Sequence, residues 1–311
     1  MTDLLPYTPD TIARAAALIA AGQPIAVPSE TVYGLAADAR SGEAVARIYA
    51  AKGRPAFNPL IVHLLDVEAA AQVAEMSDAA RALAAAFWPG PLTMVLPRRA
   101  DAGLASLATA GLETVALRVP AHPAMRDLLA AAGTPLAAPS ANTSGTISPT
   151  RAAHVLATLG GRIPLVIDGG ATGHGLESTI VAVEADRLRL LRPGPIGMEA
   201  LSAAASMPVE VAGDGRIEAP GQLASHYAPG KTLRLNARHA EADEWLIGFG
   251  AIAGDRNLSP AGDLVEAAAA LFDALHEADA SPRARIAVAP IPADGLGLAI
   301  ADRLRRAAAP R

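Results

Sequence analysis

Two spacings of apolar residues alternate along this chain, and together they predict an α/β protein. TPDTIARAAALIAAG (8–22) has helical spacing, with Thr8 or Asp10 to cap it and Gly22 to end it. PIAVPS (24–29) then reads as a short buried strand running into a loop, and GEAVARIYAAKG (42–53) as a helix closed by Gly53. LIVHLL (60–65) is a near-continuous apolar run, as expected of a strand covered on both faces. VEAAAQVA (67–74) and DAARALAAAF (78–87) are helical, while LTMVL (92–96) and VALRV (115–119) are strands. PLAAPS (135–140) enters a loop from a strand, and SPTRAAHVLATLG (148–160) predicts a helix with Ser148 as N-cap and Pro149 in its first turn. PLVID (164–168), STIVAV (178–183) and RLRLLR (187–192) complete a strand-rich domain over residues 1–205.

The pattern changes after that. Residues 207–230, MPVEVAGDGRIEAPGQLASHYAPG, are rich in Gly and Pro, so 206–230 is expected to be an ordered linker. From 231 to 311 strands (LRLN, EWLIGFG, ARIAVAPIP) alternate with two helices (261–279 and 295–309). That alternation predicts a small three-layer α/β domain with a mainly parallel sheet.

Composition narrows the chemistry. The chain has no cysteine, which excludes disulfides, thiolate zinc sites, iron–sulfur clusters and a thiol nucleophile. Its seven histidines form no H-x-x-x-H pair, so no metal ligands are assigned. A net charge of −5 argues against a broad electrostatic footprint for nucleic acid or membrane, while leaving room for a local basic pocket. The start, MTDLLPYTPD, is neither basic nor followed by an apolar signal core, and no uncharged run reaches spanning length. A cytoplasmic protein without membrane contact is the expectation.

The usual phosphate-binding and nucleophile-elbow patterns, G-x-x-x-x-G-K-[ST], G-x-G-x-x-G after a strand and G-x-S-x-G, are missing. Polar islands at predicted strand edges remain: PSETVYGL (28–35), KGRPAFNPLIVH (52–63), PSANTSGTISPT (139–150), STI (178–180) and LLRPGP (190–195). Only two of the twenty-six basic residues are lysines, Lys52 and Lys231, so a lysine at 52 is conspicuous. Lys52, Arg54 and Asn58 have the composition of a phosphate clamp, although cations also suit a solvated helix C-terminus. His63 on an apolar strand reads as a core residue or a pocket wall. Arg118 in VALRVP must meet an anion, from the protein or from a ligand. PSANTSG reads either as a turn of Asx and Ser/Thr motifs or as an anion site.

In their order these islands, with FWPGPLTMVL, TVALRVPAHP, GLESTIV and APGQLASHYAP, resemble the YrdC-like threonylcarbamoyl-AMP synthases in their longer two-domain form. The resemblance covers nearly the whole chain. It implies a large twisted-sheet α/β domain with a concave basic cavity, joined to a small C-terminal α/β domain. It also implies a reaction of L-threonine, bicarbonate and ATP, with Mg²⁺, that gives threonylcarbamoyl-AMP and pyrophosphate. Other proteins then transfer the group to tRNA; direct tRNA contact is not required. Carried over residue by residue, Thr31, His63, Arg118, Ser178 and the backbone of Ala138 would hold threonine. Lys52, Arg54, Asn58, Thr114, Ser140, Asn142, Ser148 and Arg192 would hold ATP, with Tyr227 closing over it from a linker that acts as a lid. Lys52 and Arg54 would supply charge to the reacting groups. YrdC-like modules of hydrogenase-maturation carbamoyltransferases carry cysteine-rich zinc segments, which this chain lacks. Two competing readings are a non-catalytic RNA-binding module and a sensor of threonine or ATP.

Overall fold

The computed structural model describes residues 1–55, 57–213 and 218–310. The chain begins with β1 (Asp3–Pro6), α1 (Pro9–Ala20), β2 (Ile25–Val27), β3 (Gly34–Asp38), α2 (Gly42–Lys52) and β4 (Ile61–His63). It continues through α3 (Val67–Val73), α4 (Asp78–Phe87), β5 (Leu92–Pro97), α5 (Ser106–Thr109), β6 (Thr114–Arg118), α6 (Pro123–Ala132) and β7 (Leu136–Ala137). Next come α7 (Ala152–Leu159), β8 (Leu165–Asp168), β9 (Thr179–Val183), β10 (Leu188–Arg192), α8 (Met198–Ala205) and β11 (Val209–Val211). The last part holds β12 (Leu233–Arg234), β13 (Glu244–Gly248), β14 (Arg256–Asn257), α9 (Leu264–Ala280), β15 (Arg285–Val288) and α10 (Gly297–Ala307).

The first eleven strands form one mixed sheet in the order β1-β8-β2-β3-β7-β4-β6-β5-β9-β10-β11. The other four form a parallel sheet, β12-β15-β13-β14. The expected mixed α/β class and second α/β domain are what the structure has. Several elements were not expected, namely β1, β3, α5, α6, α8, β11 and β14. Some are short, and β11 lies in the Gly- and Pro-rich stretch, where it gains order by pairing in parallel with β10. One cap is also corrected. Helix α7 starts at Ala152 with Arg151 at the N-cap position, and the Ser148 hydroxyl bonds Glu177 instead. Pro149 therefore precedes the helix and is not its first residue.

Strand alternation gives the large sheet two different faces. Leu60, Val62, Leu64, Leu92, Met94, Val115, Leu117 and Val181 join the main core with Val45 and Ile48 of α2 and Leu83 of α4. The opposite face carries Ile61, Val95, Ala116, Ile180, Ala182 and Leu191, and it is covered by Ala219 and Ala212 from the stretch after β10. His63 and Arg118 follow Ile61 and Ala116 on this second face. The concavity is built there.

The small domain does not close its own core. Val32, Ile147, Leu176 and Tyr227 belong to the same apolar cluster as Leu271, Phe272 and Leu275 of α9. The close approach is made possible by Gly175, which has φ +66°. A Cβ there would sit 2.4 Å from the Ala269 carbonyl oxygen and 2.6 Å from that of Ala268. Gly175→Ala is therefore expected to destabilise the protein by about 1–3 kcal/mol, through strained φ and overpacking against α9. Urea unfolding of the variant checks this, and an unchanged midpoint would contradict the tight contact.

Candidate active site

Parallel pairing puts His63, the last residue of β4, in register with Arg118, the last of β6. Thr31 from the loop after β2, Ala138 after β7 and Ser178 just before β9 complete a pocket beside them. The Arg118 guanidinium is buried. Its Nη2 lies 2.6 Å from Glu30 Oε1, Nη1 donates to Thr31 Oγ1 at 2.9 Å, and Nε donates to the Gly90 carbonyl at 3.2 Å. Glu30 is thus the protein anion that Arg118 meets. Three of the five guanidinium N–H groups are engaged, which leaves two for a ligand. Burial opposes charge on Glu30, but Arg118 more than offsets it, and the carboxyl is held down to about 2. Burial, reinforced by Arg118, pushes the His63 imidazole down to about 3, so it is neutral at pH 7. Its Nδ1 is buried without a hydrogen-bond partner among the described residues.

The cations form the second half of the site. Ser41 caps the start of α2, and Gly53 ends it at φ 60° in a left-handed turn whose amides return to Ala50 and Tyr49. That turn places Lys52 and Arg54 side by side. Lys52 is 1% exposed, and its Nζ donates to the carbonyls of Ser140 and Asn142. Arg54 donates from Nε to Asn58 O at 3.2 Å and from Nη2 to Pro59 O at 2.9 Å. Arg192, beyond a bulge in β10, donates twice to Ser178 O, at 3.1 and 2.9 Å, and to Ser178 Oγ at 3.0 Å. Among the described residues none of these three cations has a carboxylate within salt-bridge distance; their partners are carbonyls and one hydroxyl. Burial lowers the affinity of all three for their protons. The Arg54 charge adds to this at Lys52, and Arg54 itself is pushed down to about 10.

Of the residues singled out from the sequence, Thr31, Arg54, His63, Arg118, Ala138, Ser140, Ser178, Arg192 and Tyr227 line one cleft. Lys52 adjoins it through the Ser140 carbonyl. Asn58 is fully buried next to Arg54, with both side-chain amide atoms unpartnered among the described residues. Asn142 keeps a free buried Oδ1 while its Nδ2 serves the Thr143 and Thr146 carbonyls. Thr114 shares a face with Arg118 but lies four residues back along β6, about 13 Å away, and does not line the cleft. Ser148 is behind the wall, on Glu177. Glu177, Gly221 and His226 line the cleft and were not anticipated, nor was Glu30, which reaches the site through its bond to Arg118. A local signal exists for the two carboxylates: Glu30 directly precedes Thr31, and Glu177 directly precedes Ser178.

A pocket walled by the neutral His63 and by Arg118, with two N–H groups unengaged, next to cations without counter-charges, has the chemistry that suits an amino-acid carboxylate beside a polyanion. Comparison with known proteins identifies the family. The Sua5/YciO/YrdC family, described as telomere recombination, matches residues 17–194, and the C-terminal domain of threonylcarbamoyl-AMP synthase matches 196–309. The threonylcarbamoyl-AMP synthase of Bacillus subtilis is 40% identical, over 100% of this chain and 96% of its own. The crystal structure of Pyrococcus abyssi Sua5 complexed with L-threonine superposes with a TM-score of 0.88 at 35% identity, covering 99% of this chain and 97% of that one. Escherichia coli YciO, at 20% identity and TM-score 0.57 over 65% of this chain and all of its own, shares the fold. The chain belongs to the Sua5/YciO/YrdC family, in the two-domain form with the threonylcarbamoyl-AMP synthase C-terminal domain.

The Glu30–Arg118 pair sets a pH dependence. Because the Glu30 carboxyl falls from its ordinary 4.5 to about 2 on folding, its contribution is complete above pH 4.5 and is lost as pH falls through 2. Urea midpoints measured between pH 5 and pH 2 should therefore fall more steeply for wild type than for Glu30→Gln. Parallel acid limbs would rule out the pairing.

Proposed function

We propose that this cleft joins L-threonine, bicarbonate and ATP into L-threonylcarbamoyl-AMP and releases pyrophosphate. The observation that carries the reading is the set of three buried cations, Lys52, Arg54 and Arg192, with no carboxylate against them among the described residues. Uncompensated buried charge is costly, and a triphosphate is the kind of ligand that repays it. The relatives that match over most of this chain bear the synthase name, and one was crystallised with L-threonine.

In this reading the threonine carboxylate takes the free N–H groups of Arg118, while Thr31, Ser178 and the neutral His63 meet its hydroxyl and amine. The amine adds to the carbon of bicarbonate, and loss of water leaves a carbamate. A carbamate oxygen then attacks the α-phosphorus of ATP, and pyrophosphate departs with the electron pair of the broken P–O bond. No protein nucleophile is needed; the protein aligns two anions and neutralises them. Lys52 keeps one N–H beyond its two carbonyl bonds, and an anion brought against it favours the charged amine that burial disfavours. Ser140 lines the cleft, Asn58 and Asn142 hold unpartnered amide atoms buried behind it beside Arg54 and Lys52, and Tyr227 closes over the nucleotide; residues 214–217 of the expected 206–230 lid lie outside the described residues. Thr114 and Ser148 contribute only from its margins. Mg²⁺ enters as part of the ATP substrate. Among the described residues no group of three or more His, Asp or Glu is set to hold a metal.

The product is a mixed anhydride suited to acyl transfer, and proteins that deliver it to a tRNA adenosine are its natural consumers. That role fits a cytoplasmic location, and no described helix is long and apolar enough to cross a membrane. A non-catalytic RNA-binding role has less support, because the relatives that match over most of this chain bear the synthase name and the net charge is −5.

The test is pyrophosphate release from ATP and Mg²⁺ with threonine and bicarbonate each present or omitted. Release that requires both is expected, with serine a poor substitute; release independent of either would overturn the reading. Lys52→Arg is an ambiguous probe, since a larger guanidinium would have to fit a fully buried site. Asn58 is cleaner. Its unpartnered amide contributes little to folding, so Asn58→Ala should keep the melting temperature within a few degrees. The same variant should raise KM for ATP about tenfold, the worth of one hydrogen bond to a charged group. A large stability loss with unchanged KM would mean that Asn58 serves the fold instead.

A further inference from the structure

Helix α10 of the small domain sends one large side chain into the wall of the cleft. Arg303 is fully buried, with Nε 2.8 Å from Glu177 Oε2 and Nη1 2.9 Å from Asp302 Oδ2. Glu177 lines the cleft, and its other oxygen accepts the Ser148 hydroxyl. The guanidinium carbon of Arg303 also stands 5.2 Å from the centre of the Tyr227 ring, a cation–π contact in a dry setting.

Tyr227 needs such support. Its backbone has φ 62°, a left-handed conformation that a bulky residue adopts only when its surroundings impose it. Phe272 of α9 packs on the ring at 5.6 Å. Arg306, one turn beyond Arg303, donates to the Leu223 carbonyl at 2.6 Å, and its own carbonyl accepts from the His226 amide at 3.2 Å, which fixes the chain leading into Tyr227. The result is a tyrosine hydroxyl that is buried in the cleft wall without a partner among the described residues. Gly221 lies between the hydroxyl and Arg192: a Cβ there would be 2.8 Å from both the hydroxyl oxygen and Arg192 Cδ. Burial opposes charge on Glu177, but Arg303 and, after it, Arg192 more than offset this and hold the carboxyl below its ordinary value.

We propose that Arg303 is a positioning residue for the ATP side of the cleft, acting through Glu177 and Tyr227 without touching substrate. The inference rests on the functional reading above. Arg303 neutralises Glu177. Without it, a buried carboxylate in the wall would turn to Arg192, withdraw that cation from the triphosphate and add repulsion against it. Arg303 also holds Tyr227 over Gly221. Among the described residues Arg118 and Glu30, on which the threonine carboxylate would rest, contact neither Arg303 nor Tyr227; of the threonine-side residues only Ser178, bonded to Arg192, adjoins this relay.

The experiment is steady-state pyrophosphate release by the full chain, with KM measured separately for ATP and for threonine. Arg303→Met should raise KM for ATP by about tenfold or more, as expected on truncating one partner of a buried charge pair, and leave KM for threonine within about threefold. Arg303→Lys, which keeps a cation near Glu177, should recover part of the ATP affinity. A merely structural Arg303 would lower the melting temperature and the active fraction with both KM values unchanged, and that result overturns the proposal. Should Arg303→Met fail to fold, Arg303→Lys is read by the same split. Hydrogen exchange of the wild type then gives a second readout: ATP should protect residues 297–307 through linkage, and unchanged exchange there overturns the proposal. Absence of threonine- and bicarbonate-dependent release from wild type would instead strike the functional reading. In that case equilibrium binding of ATP to wild type and Arg303→Met decides the role of Arg303.

Discussion

Positive charge buried without a matching carboxylate is the constraint around which this molecule is organised. Lys52, Arg54 and Arg192 are each nearly inaccessible, and each is held by carbonyl oxygens, which supply partial charges only. Carbonyls satisfy the N–H groups of a cation without cancelling its field. The protein thereby keeps an electropositive interior in a chain whose net charge is negative. Among the described residues the carboxylates nearest the site are each tied to another arginine, Glu30 to Arg118 and Glu177 to Arg303, and neither is within salt-bridge distance of the three cations.

The architecture serves that arrangement. One face of the large sheet is devoted to the helix-covered core and can be purely apolar. The other carries an apolar patch along the strands and polar residues at their ends, where the site is built. The stretch after β10 covers the apolar patch of this second face, and the small domain packs beside it. Its core is shared with Val32, Ile147, Leu176 and Tyr227, and its α10 reaches Glu177. A domain that shows no substrate-sized polar island of its own thus bears directly on the site. Both lysines of the chain make the same kind of contact. Lys231 donates to the Ala278 and Ser281 carbonyls at the end of α9, as Lys52 does to Ser140 and Asn142. A compact ammonium with three diverging N–H groups suits a cluster of carbonyls better than a planar guanidinium does.

Much was legible from the chain alone. The 3.6-residue pattern located α1, α2, α4, α9 and α10, and apolar runs located β4 to β6 and β8 to β10. The islands PSETVYGL, KGRPAFNPLIVH and PSANTSG do converge on one cleft. What escaped had identifiable causes. β3 (GLAAD) lacks β-branched residues and is a strand because β2 and β7 flank it. Ser148 has the type and position of an N-cap, but a buried carboxylate competes for its hydroxyl and prevails.

The sequence by itself determined the longer helices and the apolar strands, which face of each is apolar, which chemistries are excluded for lack of cysteine, and which polar residues stand at strand ends. Only the tertiary structure decided what each buried charge meets. Arg118 finds Glu30 at a separation of 88 residues, Lys52 finds the Ser140 carbonyl at 88, and Arg303 finds Glu177 at 126. Periodicity records how a residue faces its own element, because that is set by local backbone geometry. The partner of a buried ion is chosen by which distant elements the packing brings to within about 3 Å, and no local pattern carries that information.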